Sequence, residues 1–167
     1  MLIRRETTAD TQAVHDVTEA AFAARPGGEV WLVDALRADP GWIPALSLVA
    51  EVDGAVVGHV VCTRGSVGEA PALGLGPLSV LPAHQRSGVG KALMHTVLGA
   101  ADALDEPLVI LLGDPAYYSR FGFALASTYG ITPPDPDWAP YFQARTLSAY
   151  TPALTGAFTY AAPFSAL

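Results

Sequence analysis

The spacing of apolar residues in the first part of the chain predicts a strand followed by two helices. Leu2 to Glu6 has the pattern of a short strand, and Thr7 to Asp10 supplies polar side chains of the kind that cap helices. The next residues place apolar side chains on one helical face, at Val14, Val17, Ala21 and Phe22. The run Arg25-Pro26-Gly27-Gly28 interrupts this helix, and a second helix is predicted from Glu29 to Ala38.

Three apolar runs in the middle of the chain predict neighbouring strands. Leu46 to Val52 and Ala55 to Arg64 flank Asp53-Gly54, which is a strong signal for a two-residue hairpin turn. Gly65 to Gly68 is predicted as the next turn, and Ala72 to Val80 as the third strand. We expect a bulge in this third strand, because it contains residues that weaken a regular ladder, namely Gly74, Gly76 and Pro77.

The second half of the chain begins with its clearest helical pattern. Val89 to Leu104 places apolar residues along one stripe, and Glu106-Pro107 follows it. Leu108 to Leu112 has the continuous apolar sequence of a buried strand, and Pro115 to Arg120 is predicted as a short helix. Two more strands are predicted near 142–147 and 157–160. This alternation of elements predicts one mixed α/β domain that spans residues 1–167.

Composition and charge narrow the class of protein and the class of partner. Hydrophobic residues make up 51% of the chain and charged residues 15%, as expected for a packed globule. The formal net charge of −7 argues against a nucleic-acid partner and favours encounter with a cationic small molecule or a basic peptide. Neither a membrane-spanning apolar run nor the pattern of a signal peptide is found, so we expect a cytoplasmic protein without a membrane partner.

The cysteine and histidine residues do not suggest a metal centre. Cys62 is the only cysteine, so an internal disulfide is excluded, and its apolar surroundings predict a small buried side chain rather than a nucleophile. The four histidines show no i, i+4 pair of the kind that binds zinc. We therefore predict no metal site.

The segment Gln85-Arg86-Ser87-Gly88-Val89-Gly90-Lys91 has the composition of a turn that binds phosphate. It opens the predicted helix 89–104, whose first N–H groups are unpaired and carry a partial positive charge. Gly88 and Gly90 allow close approach of a ligand, and Arg86 and Lys91 add positive charge. By itself this spacing fits either an ordinary strand-to-helix turn or a site for an anion such as a diphosphate. It is neither a nucleotide P-loop nor a full dinucleotide fingerprint.

Together with the strand before it, this segment resembles motif A of the GCN5-related N-acetyltransferases (GNAT). The resemblance covers residues 78–93 and rests on the form Gln/Arg-x-x-Gly-x-Gly/Ala after a strand. A second segment, 113–123, is similar to the family's Tyr-x-x-x-Gly-Phe sequence, which runs here from Tyr118 to Gly122-Phe123. Its Leu-Gly-Asp-Pro sequence resembles the YhbS-like branch of predicted acetyltransferases.

This resemblance implies a fold and a cosubstrate. The fold is a central, mostly antiparallel twisted sheet that splays between strands 4 and 5 and is flanked by helices. The cosubstrate is acetyl-CoA, whose pantetheine arm enters the gap, and Pro77 provides a local cause for the splay because it cannot donate to a ladder. The resemblance assigns cofactor binding to Leu78, Ser79, Val80, Gln85, Arg86, Ser87, Gly88, Val89, Gly90 and Lys91. For Ser87, an exposed turn serine is an equally good interpretation.

The resemblance also implies direct transfer of acetyl to an amine in a ternary complex. Backbone N–H groups near Leu78 to Val80 stabilise the developing oxyanion, and Tyr118 protonates the departing sulfur. The alternative for Tyr118 is packing on the cofactor without proton transfer. No general base is assigned: the candidates are Glu69, Glu51 and His59, of which the last is better explained as a core histidine.

The acceptor amine is not identified by the sequence. Its contacts are expected from the segment 24–29 and from residues near the C-terminal strands, namely Trp138, Tyr141 and Phe142. Trp31 is predicted as a core anchor. Two alternatives stay open, a non-catalytic acyl-CoA-binding regulatory module and an unrelated α/β binding protein that holds another phosphate ligand. The apolar C-terminal strands would permit a homodimer.

Overall fold

Four α-helices and nine strands are formed by residues 1–24 and 27–166, which are the residues that the computed structural model describes. The helices are α1 (Thr11–Phe22), α2 (Glu29–Ala38), α3 (Val89–Ala103) and α4 (Pro115–Tyr118). The strands are β1 (Leu2–Arg5), β2 (Trp42–Val52), β3 (Ala55–Val67), β4 (Ala70–Val80), β5 (Leu108–Leu112), β6 (Ala124–Leu125), β7 (Ile131–Thr132), β8 (Phe142–Thr146) and β9 (Gly156–Thr159).

This order confirms the predicted mixed α/β arrangement and adds the two-residue strands β6 and β7. The predicted short helix is divided into α4 and a 3-10 turn at Ser119–Phe121, which ends at Gly122 with a φ of 80°. The predicted helix break at Arg25-Pro26 lies outside the described residues. In the described part of the chain, none of the helices has the length and apolarity that crossing a membrane requires.

One predicted turn is wrong. Residues 65–68 were expected to form it, but β3 continues through Val67, and the chain turns at Gly68 and Glu69 before β4 begins. Gly65 is a strand residue that allows close packing, since a Cβ there would lie 2.7 Å from Cζ of Phe158. The glycine therefore makes room for a distant aromatic ring.

The second strand also begins earlier than predicted, at Trp42 rather than Leu46. Its pairing with β3 is irregular between Trp42 and Ser47, and β1 pairs only with Leu48 to Glu51. The first part of β2 is therefore on the edge of the sheet on that side, where Pro44 is tolerated although it cannot donate a hydrogen bond.

The sheet has the strand order β1-β2-β3-β4-β5-β8-β6, and β9 pairs with both β3 and β7. Neighbours are antiparallel along the main order except for β4 and β5, which are parallel and pair only at Leu73–Val109 and Gly74–Ile110. Beyond these two positions the strands separate, which confirms the predicted splay. The predicted bulge is also present, because the β3–β4 register shifts opposite Gly76 and Pro77.

Each face of the sheet is covered by a different set of helices. The main core lies between the sheet and α3, whose inward residues include Leu93, Met94 and Val97, all fully buried. Cys62 belongs to this core, as predicted, and burial raises the pKa of its thiol well above the usual range. On the other face, α1 and α2 pack against β2 through Val14, Val33 and Val49.

Candidate functional site

The turn between β4 and α3 presents unpaired backbone donors. Gly88 is the N-cap of α3 with a φ of 92°, and no side chain caps the helix there. The first helical hydrogen bond runs from Ala92 N–H to Gly88 O at 2.9 Å, so the N–H groups of Val89, Gly90 and Lys91 have no partner within the helix. A Cβ on Gly88 would meet no atom within 4 Å, so the space beside this glycine is open.

The side chains of this turn differ in their availability. Arg86 and Lys91 are exposed, whereas Val89 is buried and offers only its backbone. Gln85 folds back and donates from Nε2 to Val80 O at 3.2 Å. Ser87 Oγ donates to His84 O, which fits the interpretation of Ser87 as a turn serine.

The edge of β4 beside the splay offers further backbone groups. His59 pairs with Ser79, and Leu81 N–H donates to Val57 O at 2.9 Å. Because the direction of hydrogen bonding alternates along an antiparallel strand, Leu78 and Val80 direct their N–H groups away from β3. They point to the side from which β5 has separated.

Ser79 has the opposite orientation. The same alternation directs its N–H and C=O toward β3, and its buried hydroxyl donates to Thr18 Oγ1 on α1 at 3.3 Å. This geometry does not agree with the predicted contact between Ser79 and the cofactor, so Ser79 is left out of the proposed contacts.

Two adjacent tyrosines on α4 face different parts of the site. Asp114 caps this short helix by accepting from Ala116 N–H at 2.9 Å, which fixes where Tyr117 and Tyr118 point. The hydroxyl of Tyr117 lies at the turn between β4 and α3, 2.9 Å from the place where a Gly90 Cβ would be. Tyr118 instead lines the cavity between the separated strands.

The environment of Tyr118 keeps its hydroxyl protonated. The ring packs against Tyr117, with centroids 4.9 Å apart, and against Phe123 at 6.0 Å. Burial, with a smaller contribution from the charge of Tyr117, raises the pKa of Tyr118 to about 12. At neutral pH its Oη therefore carries a proton that it can donate.

The cavity that Tyr118 lines has a volume of about 550 Å³. Its floor is the splay itself, formed by β4 at 75–78 and by the end of β5 at 111–112. Its walls come from elements far apart in the sequence, namely Phe22, Glu29, Leu32, Pro134, Trp138, Phe158, Thr159, Tyr160, Phe164 and Ser165. This size and apolar lining are typical of small-molecule sites.

The three candidate general bases lie outside this cavity. Glu69 is exposed on the β3–β4 turn. Glu51 accepts from Arg4 Nε at 3.0 Å on the other side of the sheet. His59 is completely buried, with Nε2 2.9 Å from Ser47 Oγ and 3.3 Å from Glu6 Oε2, which confirms its interpretation as a core histidine.

We expect the free energy of unfolding to decrease as the pH falls from about 7 to about 4, because of this buried group. Burial lowers the pKa of His59 below its ordinary 6.5, so the unfolded chain takes up a proton before the folded chain does. Burial acts to raise the pKa of Glu6, but hydrogen bonds from His59 and Ser47 outweigh it and lower that pKa below 4.5. Both groups therefore favour the folded state at higher pH.

Denaturant titrations at a series of pH values measure this effect. His59→Gln removes one of the two titrating groups and is expected to flatten the curve between about pH 6.5 and 5. A wild-type stability that is constant or increases over this interval would contradict the prediction.

The residues expected to contact the acceptor are only partly brought together. Glu29 and Trp138 line the cavity. Tyr141 is exposed and Phe142 is buried beside β5, and neither lines the cavity.

Trp31 is 51% exposed on α2, so its prediction as a core anchor is wrong. Its position just after the helix start places it on the outer face, since Leu32 and Val33 are the buried neighbours.

The aromatic wall near the C-terminus was missed by sequence reasoning. Phe158, Tyr160 and Phe164 pack in series, with centroid distances of 4.7 and 4.6 Å. Gly74 in β4 makes this possible, because a Cβ there would lie 2.7 Å from Cδ1 of Tyr160. The signal available in the sequence was the alternation of aromatic residues at 158 and 160, on a strand predicted without a partner.

Comparison with known proteins places this geometry in a family. The acetyltransferase (GNAT) domain matches residues 2–126. The uncharacterized N-acetyltransferase YjhQ of Escherichia coli K12 is 33% identical over 162 residues, covering 92% of this chain and 88% of YjhQ. The uncharacterized N-acetyltransferase YhbS of the same strain is 34% identical over 151 residues, covering 89% of this chain and 88% of YhbS.

Two solved structures share the fold over nearly the whole chain. YhbS from Escherichia coli in complex with CoA has a TM-score of 0.91 at 31% identity, covering 98% of this chain and 91% of that one. A GNAT family acetyltransferase from Brucella melitensis in complex with acetyl-CoA has a TM-score of 0.81 at 37% identity, covering 98% and 97%. The splayed sheet, the glycine turn and the domain match agree, and the chain belongs to the GNAT acetyltransferase family.

Proposed function

We propose that residues 1–167 act as a single N-acetyltransferase domain that transfers acetyl from acetyl-CoA to a primary amine by direct attack. The observation that carries this proposal is that Tyr118 and the separated edge of β4 line one cavity. A proton donor and backbone N–H groups thus border the same cavity, which supports a reacting carbonyl bound between them. Relatives bound to CoA and acetyl-CoA support acetyl-CoA as the cosubstrate.

The phosphate turn fits the pyrophosphate of this cosubstrate. The N–H groups of Val89, Gly90 and Lys91 lack helical partners, and the space beyond Gly88 is open. Anions bind well at such helix N-termini, because the donors and the helix dipole act together. Arg86 adds an exposed positive charge, while Gln85 contributes by holding the end of β4 in place.

Separate groups in the gap between β4 and β5 orient the carbonyl and protonate the leaving group. Acetyl-CoA supplies an acetyl group that is activated as a thioester. The N–H groups of Leu78 and Val80 donate hydrogen bonds into the gap and orient a carbonyl there. Tyr118 holds a proton at Oη and donates it to the leaving sulfur. The apolar part of the lining lowers the local polarity, which strengthens these interactions.

The decisive experiment measures binding and turnover separately. Calorimetry measures acetyl-CoA binding, and release of free thiol in the presence of an amine panel, with mass detection of the product, measures transfer. Binding with amine-dependent thiol release is the expected result. Binding without turnover of any amine would favour the non-catalytic acyl-CoA-binding module. Failure to bind CoA would overturn both.

Arg86→Ala is expected to weaken acetyl-CoA binding about threefold to tenfold, because it removes one exposed charge beside the phosphate donors. Arg5→Ala is the matched control, since Arg5 is an exposed arginine on β1 at a distance from the turn. Calorimetric dissociation constants for acetyl-CoA, measured on the wild type and both variants at two salt concentrations, test the prediction. An affinity of the Arg86 variant equal to that of the control would assign the anion to the backbone donors and Lys91.

A further inference from the structure

Five of the residues in the walls of the cavity beside Tyr118 are aromatic. These aromatic residues come from α1, from the loop after β7 and from the C-terminal segment. The members of this aromatic wall are Phe22, Trp138, Phe158, Tyr160 and Phe164. Such walls attract apolar and aromatic groups, whereas polar groups placed against them lose hydrogen bonds to water without replacement.

The rings of the aromatic wall pack closely on one another. Phe158 and Tyr160 meet edge to face at an interplanar angle of 88°, and Tyr160 packs on Phe164 at 34°. There is no free space between Tyr160 and β4, since a Cβ on Gly74 would overlap the tyrosine ring. Burial also raises the pKa of Tyr160, so this residue is a neutral part of the wall.

The lining of this cavity also includes a charge. Among the described residues that line the cavity, Glu29 alone carries one. Its carboxylate accepts from Gly27 N–H at 2.9 Å, which fixes it at the start of α2 and leaves further lone pairs free to accept hydrogen bonds. One carboxylate can pair with one ammonium group, and it repels a second carboxylate.

We propose that the acceptor is a primary amine with one positive charge, one aromatic or branched apolar group and no carboxylate. This inference rests on the proposed N-acetyltransferase function and names its substrate class. Glu29 binds the ammonium group, and the aromatic wall holds the apolar group. A polyamine would bury a second, unpaired charge, and an amino sugar would leave hydroxyl groups unpaired against the rings.

The group transfer balances for such an amine. Its nitrogen forms the new C–N bond with the acetyl carbon while the thioester C–S bond breaks. The ammonium loses two protons in all, of which one ends on the CoA thiol and the other in solvent.

A panel of four amines tests the class. We expect kcat/KM for 2-phenylethylamine to exceed that for ethanolamine, spermidine and L-phenylalanine at least about tenfold, because each of these lacks the apolar group or carries an extra charge. A higher value for spermidine or ethanolamine would overturn the proposal. Equal values for 2-phenylethylamine and L-phenylalanine would show that Glu29 does not exclude a carboxylate.

Two variants with matched controls test the named residues. Trp138→Ala is expected to lower kcat/KM for 2-phenylethylamine about tenfold, with less effect on ethanolamine. Trp31→Ala removes an exposed tryptophan outside the cavity and should change kcat/KM for neither amine.

Glu29→Gln should raise KM for 2-phenylethylamine about tenfold and leave KM for acetyl-CoA unchanged. Glu69→Gln, on the exposed turn between β3 and β4, should alter neither KM. If both cavity variants keep wild-type constants, the proposal is wrong.

A binding measurement separates this inference from the proposed function. Calorimetry of 2-phenylethylamine with the CoA-loaded protein does not depend on turnover. Binding without acetylation would support the substrate site while removing the catalytic function. Absence of binding, together with acetylation of another class of amine, would keep the function and overturn the inference.

Discussion

Tyr118→Phe is expected to lower kcat about a hundredfold to a thousandfold, because it removes the proton donor from the cavity and keeps the ring. The ring itself packs between Tyr117 and Phe123, so the phenylalanine fits the same space. Acetyl-CoA affinity should change less than about twofold, since the phosphate donors on α3 are untouched. Steady-state kinetics and calorimetry on the same preparation measure the two effects.

Tyr129→Phe is the matched control for this loss of a hydroxyl. Tyr129 packs edge to face on Tyr150, at 5.8 Å between centroids, and does not line the cavity. Its variant should keep wild-type kcat. If Tyr118→Phe also keeps wild-type kcat, Tyr118 packs on the cofactor and donates no proton.

The pH profile gives an independent test of the same residue. Burial raises the pKa of Tyr118 to about 12, so its ionisation cannot reduce turnover in the ordinary alkaline range. We expect kcat to show no decrease up to about pH 10. A decrease below that pH that is absent from Tyr118→Phe would contradict the protonation state argued here.

Local signals explain why the turn before α3, the segment at Tyr118 and their backbone geometry were predictable from sequence. The stripe of apolar residues in α3 begins directly after Gly88. Both signals depend on the local backbone and not on contacts with distant residues. The same holds for the short segment that contains Tyr118. Asp114 caps its helix, and Gly122 ends the 3-10 turn that follows. The splay was implied by the family resemblance, and Pro77 provides a local cause for it because proline cannot donate to a ladder.

The acceptor side depends on contacts between distant residues. Gly65 was read as part of a turn because nothing near it in the sequence reveals the ring of Phe158. Trp31 was read as a core residue because size and apolarity do not tell which face of α2 meets the sheet. The orientation of Ser79 is hidden for a related reason, since it follows from pairing with His59 on another strand.

Gly88→Ala is expected to weaken acetyl-CoA binding about tenfold to a hundredfold, the cost of losing one or two charge-assisted backbone hydrogen bonds. Gly88 has a φ of 92°, where a side chain is strained although no atom lies within 4 Å. To relieve that strain the turn must rotate, and the N–H groups of Val89 and Gly90 then point away from the bound phosphate. The free energy of unfolding should fall by about 1–2 kcal/mol.

Gly99→Ala provides an internal control in the same helix. Gly99 is exposed within α3, with no atom within 4 Å of an added Cβ, and its backbone is helical. Here the same substitution should raise the free energy of unfolding by about 0.5–1 kcal/mol and leave acetyl-CoA binding unchanged. Opposite signs in stability, with loss of binding only at Gly88, would tie the anion site to the left-handed backbone of that one residue. If Gly88→Ala binds acetyl-CoA as tightly as Gly99→Ala, the phosphate donors do not depend on this turn, and the charges of Arg86 and Lys91 must hold the cosubstrate.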